Sequence, residues 1–166
     1  MPRLKQAMSD DEKLMVQREL SLAPGEKINL KALPEALAGD AEVVRSAIAG
    51  QPEKKAEGMV RGALDRSWQP EVLDIYANLG PETFAKRIKT CEKWRKAHID
   101  DPALELCIGR IQELAGNREA ALACYERSHA IRPSAAAGTA LGRMHAQVGE
   151  HAKSNAYLLD AMSEKP

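Results

Sequence analysis

The chain has 166 residues, 44% hydrophobic and 29% charged, and its 24 basic and 24 acidic side chains give zero formal charge. That balance argues against a nucleic-acid binder working by bulk electrostatics, and one Phe, two Trp and three Tyr are few for base stacking or a sheet-rich core. No apolar run approaches the roughly 18 residues that span a bilayer, no signal peptide opens the chain, and three cysteines without a C-x-x-C pair make neither a disulfide framework nor a zinc site. A helical protein of a reducing, cytoplasmic compartment is expected.

In chain order, Ser9-x-x-Glu12 is a capping-box pattern ahead of Leu14, Met15, Val16 and Leu20, so a helix is expected near 10–21. Met1 to Met8 is open between a disordered stretch and a short helix with Leu4 and Met8 on one face. Ala23-Pro24-Gly25 breaks the chain. Residues 1–39 read as an N-terminal cap, and 40–166 as a repeat domain of about four helical hairpins, the last two most regular.

The repeat is a small residue, an apolar one four positions on, and a small one three further. It appears as Ala56-x3-Val60-x2-Ala63, as Thr90-x3-Trp94-x2-Ala97, as Ala121-x3-Tyr125-x2-Ser128 and as Ser154-x3-Leu158-x2-Ala161, with spacings of 34, 31 and 33. Such a stripe makes one narrow helix face, a knob between two flat sites. Ile108-Gly109 and Gly116 recur as Leu141-Gly142 and Gly149, each 33 residues later. Gly109 and Gly142 allow close approach of a second helix, and Gly116 and Gly149 suit a left-handed position after a helix. Pro102, Pro133 and Pro166 punctuate the units, and Asp100-Asp101-Pro102 offers capping carboxylates. In the unit at 70–101, which holds the second stripe, Gly80-Pro81 arrives early, so a short helix over 70–79 and a long one after it are expected.

These residues resemble the tetratricopeptide repeat, which pairs L-G in the first helix with A-x3-F and a trailing Pro in the second. The resemblance covers about 40–166 and implies a right-handed α-solenoid of antiparallel hairpins. Two positions depart from the pattern in each regular unit: Glu105 and Gly138 replace a large residue, and Gln112 and His145 replace an aromatic one. Over about 33–166, Leu33-Pro34 with Leu37, then Ala63-Leu64-Asp65-Arg66-Ser67-Trp68, then Leu73 to Leu79 and Gly80-Pro81-Glu82 resemble the C-terminal half of HemY proteins. Asp100-Asp101-Pro102 and Arg132-Pro133-Ser134 stand at the corresponding later points. That resemblance implies a bacterial protein associated with late haem or porphyrin synthesis. HemY proteins carry hydrophobic anchors ahead of their repeats, so a membrane relation, at the inner-membrane surface, is expected only if an anchor precedes Met1.

No nucleophile elbow, P-loop, dinucleotide fingerprint or zincin motif is present, so catalysis, a metal and a cofactor are not expected. Cys91, Cys107 and Cys124 read as small buried hydrophobes. His98, His129, His145 and His151 sit at helix ends or on helix faces, with His145 and His151 straddling the Gly149 turn. A tetrapyrrole-binding carrier using one of them is the reading from a different class.

The sharper signal is arginine. Arg110 and Arg143 follow the L-G glycines, and counting back 11 residues from Ala56, as from Ala121 to Arg110, gives Arg45. The tetratricopeptide resemblance implies that this position faces a concave groove that takes protein or peptide ligands. Ala103, Leu106, Glu113, Ala136, Thr139 and Ala146 stand at the other groove positions. Three guanidiniums at this repeat position would make a track for an acidic peptide; the alternative is pairing with Glu105, Glu113 or Glu150. Lys93, Arg95 and Lys96 around Trp94 read as a solvated face. On the last helix, expected over 152–163, Tyr157, Leu158, Leu159 and Met162 read as a self-association face, in a homodimer or against another protein. The expectation is thus an interaction scaffold of HemY type, or a tetratricopeptide adaptor unrelated to haem.

Overall fold

The computed structural model describes residues 28–163, and every regular element among them is helical. The helix expected near 10–21, with its capping role, lies outside the described residues. A 3-10 turn at Leu30–Ala32 precedes α1 (Glu35–Ala38), α2 (Ala41–Ile48), α3 (Glu53–Arg66) and α4 (Pro70–Ala77). A second 3-10 turn, Pro81–Thr83, leads into α5 (Phe84–Ala97), α6 (Pro102–Leu114), α7 (Arg118–Ile131), α8 (Ala135–Gln147) and α9 (His151–Ser163). The chain forms two compact units, one ending at Val72 and the other beginning at Leu73, within α4.

In the first unit, the Asp40 carboxylate accepts the Glu42 and Val43 amides at 2.9 and 3.1 Å and so starts α2. Gly50, at φ 69°, turns the chain from α2 into α3. The stripe Ala56, Val60 and Ala63 is buried as its spacing predicts, with Val43, Val44 and Ala47 of α2 also buried. Arg66 donates to the Leu30 and Leu33 carbonyls at 2.6 and 2.7 Å, which ties the first 3-10 turn to the end of α3.

In the second unit each helix from α5 onward packs on the next, so antiparallel hairpins stack in sequence order as an all-α solenoid of tetratricopeptide type. The two regular hairpins, α6–α7 and α8–α9, are built by the same contacts 33 residues apart. Gly116 and Gly149 take φ of 82° and 78°. Asn117 Nδ2 donates to Gln112 Oε1 at 2.8 Å across the first turn, and His145 Nδ1 lies 2.6 Å from Glu150 Oε2 across the second. Gln112 and His145 therefore replace the expected aromatic because they clasp the turns. Asp101 and Ser134 cap α6 and α8 through the Ala103 and Ala137 amides at 2.8 and 3.1 Å.

The glycines on the first helices admit the second ones. A Cβ added at Gly109 would lie 2.6 Å from the ring of buried Tyr125, and one at Gly142 would lie 2.6 Å from Leu158 Cγ. Gly138, the other departure from the repeat pattern, has the Tyr157 carbonyl and Ala161 within 3.0 Å of such an atom, so a large side chain is excluded.

One stripe sits in a different register. Thr90 is half-exposed and Ala97 exposed, while Arg87, Cys91 and Trp94 are buried, so α5 turns inward on a series three residues earlier than the expected one. The cause is Arg87. Its guanidinium donates to the carbonyls of Tyr76, Ala77, Leu79 and Gly80 at 2.7, 3.0, 2.8 and 2.5 Å and through Nε to Thr83 Oγ1 at 2.9 Å. A guanidinium has five N–H donors in a planar fork, and here each has an acceptor. They satisfy carbonyls that the short α4 leaves open at its C-terminal end. Arg95 corrects a second expectation: it leaves the solvated face and grips the buried Glu105 through Nε and Nη2, both at 2.7 Å, while Lys93 and Lys96 stay exposed. Glu105 thus replaces a large apolar residue because an ion pair fills the slot.

Three outcomes follow for stability in urea. Arg87→Met strands several buried carbonyls and costs about 3 kcal/mol or more. Gly109→Ala forces the Tyr125 ring to shift and costs about 1–2 kcal/mol net. Gly62→Ala, with no described atom within 4 Å of the new carbon, gains up to about 1 kcal/mol from helix propensity. Equal behaviour of Gly109→Ala and Gly62→Ala would contradict the close-approach account.

Candidate functional site

The site grows from the helical period. Residues 103, 106, 110 and 113 share one face of α6, and 136, 139, 143 and 146 share the equivalent face of α8. Because Gly109 and Gly142 point at the second helices, the residues that follow them lie about 100° further round, away from those contacts. Arg110 and Arg143 occupy these positions and are 39% and 43% exposed.

Glu113 joins them. Arg143 reaches across from α8 and donates through Nη1 to Glu113 Oε1 and through Nη2 to Oε2, the latter at 3.0 Å. Arg110 Nη1 donates to Oε2 at 3.4 Å, and the Tyr125 hydroxyl donates to Oε2 at 2.7 Å. Arg110 Nε also donates to Asn78 Oδ1 at 3.2 Å, and Asn78 Nδ2 donates to the Asp74 carbonyl at 2.8 Å. A continuous polar line thus runs from the end of α4 through α6 to α8. Each arginine keeps further N–H groups without a partner among the described residues.

The Arg143 hydrogen bond holds the Glu113 carboxyl at about 2; burial opposes the shift, and the Tyr125 hydroxyl adds to it. Burial, and then the bond to Glu113, push the Tyr125 phenol up, so it remains a neutral donor. Glu113 in turn raises Arg143. The cluster is one anion between two cations, with formal charge left over for an incoming carboxylate.

The expected groove residues fall into three groups. Ala136, Thr139 and Ala146 are exposed small residues around Arg143, which leaves room for a chain to approach. Ala103 is half-buried, and Leu106 packs against the core cluster of Ala121, Tyr125, Ala140, Leu141 and Met144, so it serves the core rather than an open lining. Arg45 belongs to the first unit and pairs with Glu42 at 2.9 Å. Arg110 and Arg143 pair with Glu113, one of the carboxylates named in the alternative, whereas the partner of Arg45 is Glu42, which is not one of them; Glu113, expected both as a lining residue and as a pairing partner, organises the cluster.

The last helix also differs from its expectation. Leu159 and Met162 are 66% and 82% exposed, but Tyr157 turns inward, stacked on His145 at 5.5 Å and edge-on to His129 at 5.4 Å. Leu158 covers Gly142 and is 37% exposed. The four residues are therefore not one face. His145 is buried between Tyr157 and Glu150, which removes it from the surface a tetrapyrrole would need. The cysteines are buried as expected; contact with Cys91 and burial push the Cys107 thiol well up, and burial raises Cys124. Among the described residues, no group of three His, Cys, Asp or Glu is placed to hold a metal, and no helix is long and apolar enough to cross a membrane.

The chain matches no protein-family profile and no curated protein sequence. It is similar in structure to the crystal structure of MamA, with a TM-score of 0.59 and 13% identity over 93% of this chain and 94% of that one. It is likewise similar to MamA 41-end from Desulfovibrio magneticus RS-1, at 0.56 and 16% over 94% and 96%. A MamA RS-1 ArsTM double mutant matches at 0.56 and 17% over 94% and 95%. At these identities the likeness is one of fold.

The depressed Glu113 carboxyl gives a pH signature. A folded value near 2 against about 4.3 unfolded adds stability that is fully present above about pH 5 and is lost as pH falls toward 2. Allowing for solvent at the half-exposed arginines, the contribution is about 1–2 kcal/mol. Urea titrations at pH 7 and pH 3 should show a smaller acid loss in Glu113→Gln than in the parent chain; an unchanged loss would remove Glu113 from this role.

Proposed function

We propose that the chain is a tetratricopeptide-type interaction scaffold whose first-helix face on α6 and α8 holds an extended, acidic segment of a partner protein. The observation that carries this reading is the Arg110–Glu113–Arg143 cluster. Two half-exposed guanidiniums, one repeat apart, are held in place by a shared carboxylate and keep spare donors. Preorganised arginines lose little side-chain entropy when a carboxylate docks, and their planar forks favour bidentate contact. The exposed Ala136, Thr139 and Ala146 leave space beside them for the partner's backbone.

The finer reading, a place beside an enzyme of late haem synthesis, is supported by the HemY resemblance in the sequence. Two segments that carry it are hydrogen-bonded to one another, since Arg66 donates to the Leu33 carbonyl. Affinity capture from lysate followed by mass spectrometry tests both levels. The scaffold reading predicts a defined partner that is recovered by the parent chain and lost with Arg110→Glu and Arg143→Glu together. Recovery of a late haem-synthesis enzyme would support the finer reading. Identical recovery by parent and double variant would defeat the proposed face.

A further inference from the structure

We infer that the first unit carries a second ligand site, a cationic groove between the first 3-10 turn and α3 that takes an acidic peptide of about five extended residues. The groove has a volume of about 580 Å³ and is lined by residues 28–31 with Gln51 and one face of α3. Five of its lining side chains are cationic, Lys31, Lys54, Lys55, Arg61 and Arg66, and no Asp or Glu is among its described lining residues.

These cations divide by task. Arg66 builds the groove, since its two bonds to the Leu30 and Leu33 carbonyls hold the 3-10 turn against the end of α3. Arg61 is paired through Nε with the fully buried Glu57 at 3.1 Å and stays 40% exposed. Lys31, Lys54 and Lys55 are exposed and have no carboxylate partner among the described residues. Three exposed lysines without a described carboxylate partner, set with two further cations around one concavity, suit an anionic ligand.

The floor decides which anion. Leu30, Met59 and Ala63 are apolar, and Gly58 and Gly62 expose the α3 backbone, with no described atom within 4 Å of an added Cβ at either. Helix-interior glycines destabilise a helix relative to Ala, and no positive φ or close described contact explains these two. They leave room for a chain to lie against the helix. From Lys54 to Arg66 the cations span about 18 Å of helix, far longer than a single phosphate and matched by about five extended residues. An apolar floor with a cationic rim suits a peptide of acidic residues around one apolar anchor. The site lies on the second helix of its hairpin, whereas Arg110 and Arg143 lie on first helices, so it stands independently of the α6–α8 face.

Fluorescence anisotropy on the full chain, with a labelled six-residue glutamate peptide carrying one central leucine, tests the site. Binding should weaken at least about tenfold in Lys54→Glu with Lys55→Glu, and as strongly when the groove is filled by Gly58→Leu. Measured in a chain already carrying Arg110→Glu and Arg143→Glu, which removes the α6–α8 face, binding should persist and the same lysine reversal should still weaken it at least about tenfold. Circular dichroism melting of the lysine variant, whose changes are at exposed positions, verifies that it is folded. Absence of binding, or binding unchanged by the lysine reversal, overturns the site. So does loss on the Arg110 and Arg143 pair alone, which would assign the peptide to the α6–α8 face. Displacement by tripolyphosphate at equal concentration, or tighter binding of a single-stranded oligothymidine, would replace the peptide with a phosphate ligand and also overturn it.

Discussion

The second unit depends on one steric constraint: a first helix must present no side chain where a second helix crosses it. Gly109 under the Tyr125 ring and Gly142 under Leu158 meet it at matching positions. Close packing leaves little slack, so a contact of this kind fixes both the spacing and the rotation of the paired helices. The neighbouring caps and turns then fall into place. Asp101 and Ser134 start the first helices, and Gly116 and Gly149 reverse the chain with clasps from Gln112 and His145.

Function follows from the same rotation. With each glycine committed to the hairpin interior, the next residue is turned out of it, and in both repeats that residue is arginine. Two outward guanidiniums one repeat apart would repel each other if unbridged. Glu113 removes the repulsion and sets their geometry, while the Tyr125 hydroxyl, from the ring that covers Gly109, holds the carboxylate from beneath. The packing contact and the ligand-facing cluster are thus coupled through one side chain. Arg87 does comparable work at the irregular end of the unit, where a short α4 leaves carbonyls that only a long, multiply donating side chain can reach.

Much of this was legible in the sequence, because it is local or periodic. The 33-residue offset of the glycines, the capping Asp101, the short α4 and the inward Ala56, Val60 and Ala63 stripe all come from spacing and residue type. What escaped is where polar residues take apolar places. Arg87 occupies a buried slot that hydropathy assigns to solvent, so residue spacing alone starts the stripe three residues late, at Thr90. Glu105 takes the place of a large residue for the same reason, with Arg95 drawn from the expected solvated face to pair with it. Tyr157 belongs to the apolar set of the last helix that the sequence assigns to one exposed face, and only its contacts with two histidines distant in sequence, His129 and His145, place it inward. The cationic groove on α3 needs a contact across 36 residues, from Arg66 to Leu30, which no local pattern contains.

The central claim is that Glu113 couples consecutive repeats by binding Arg143 across them. A double-mutant cycle in urea with Glu113→Gln, Arg143→Gln and the pair measures that coupling directly. The account predicts an interaction energy of about 1 kcal/mol or more between the two positions at pH 7. Additive losses, with no interaction energy beyond error, would mean that the two side chains do not hold each other, and the preorganised face would lose its basis.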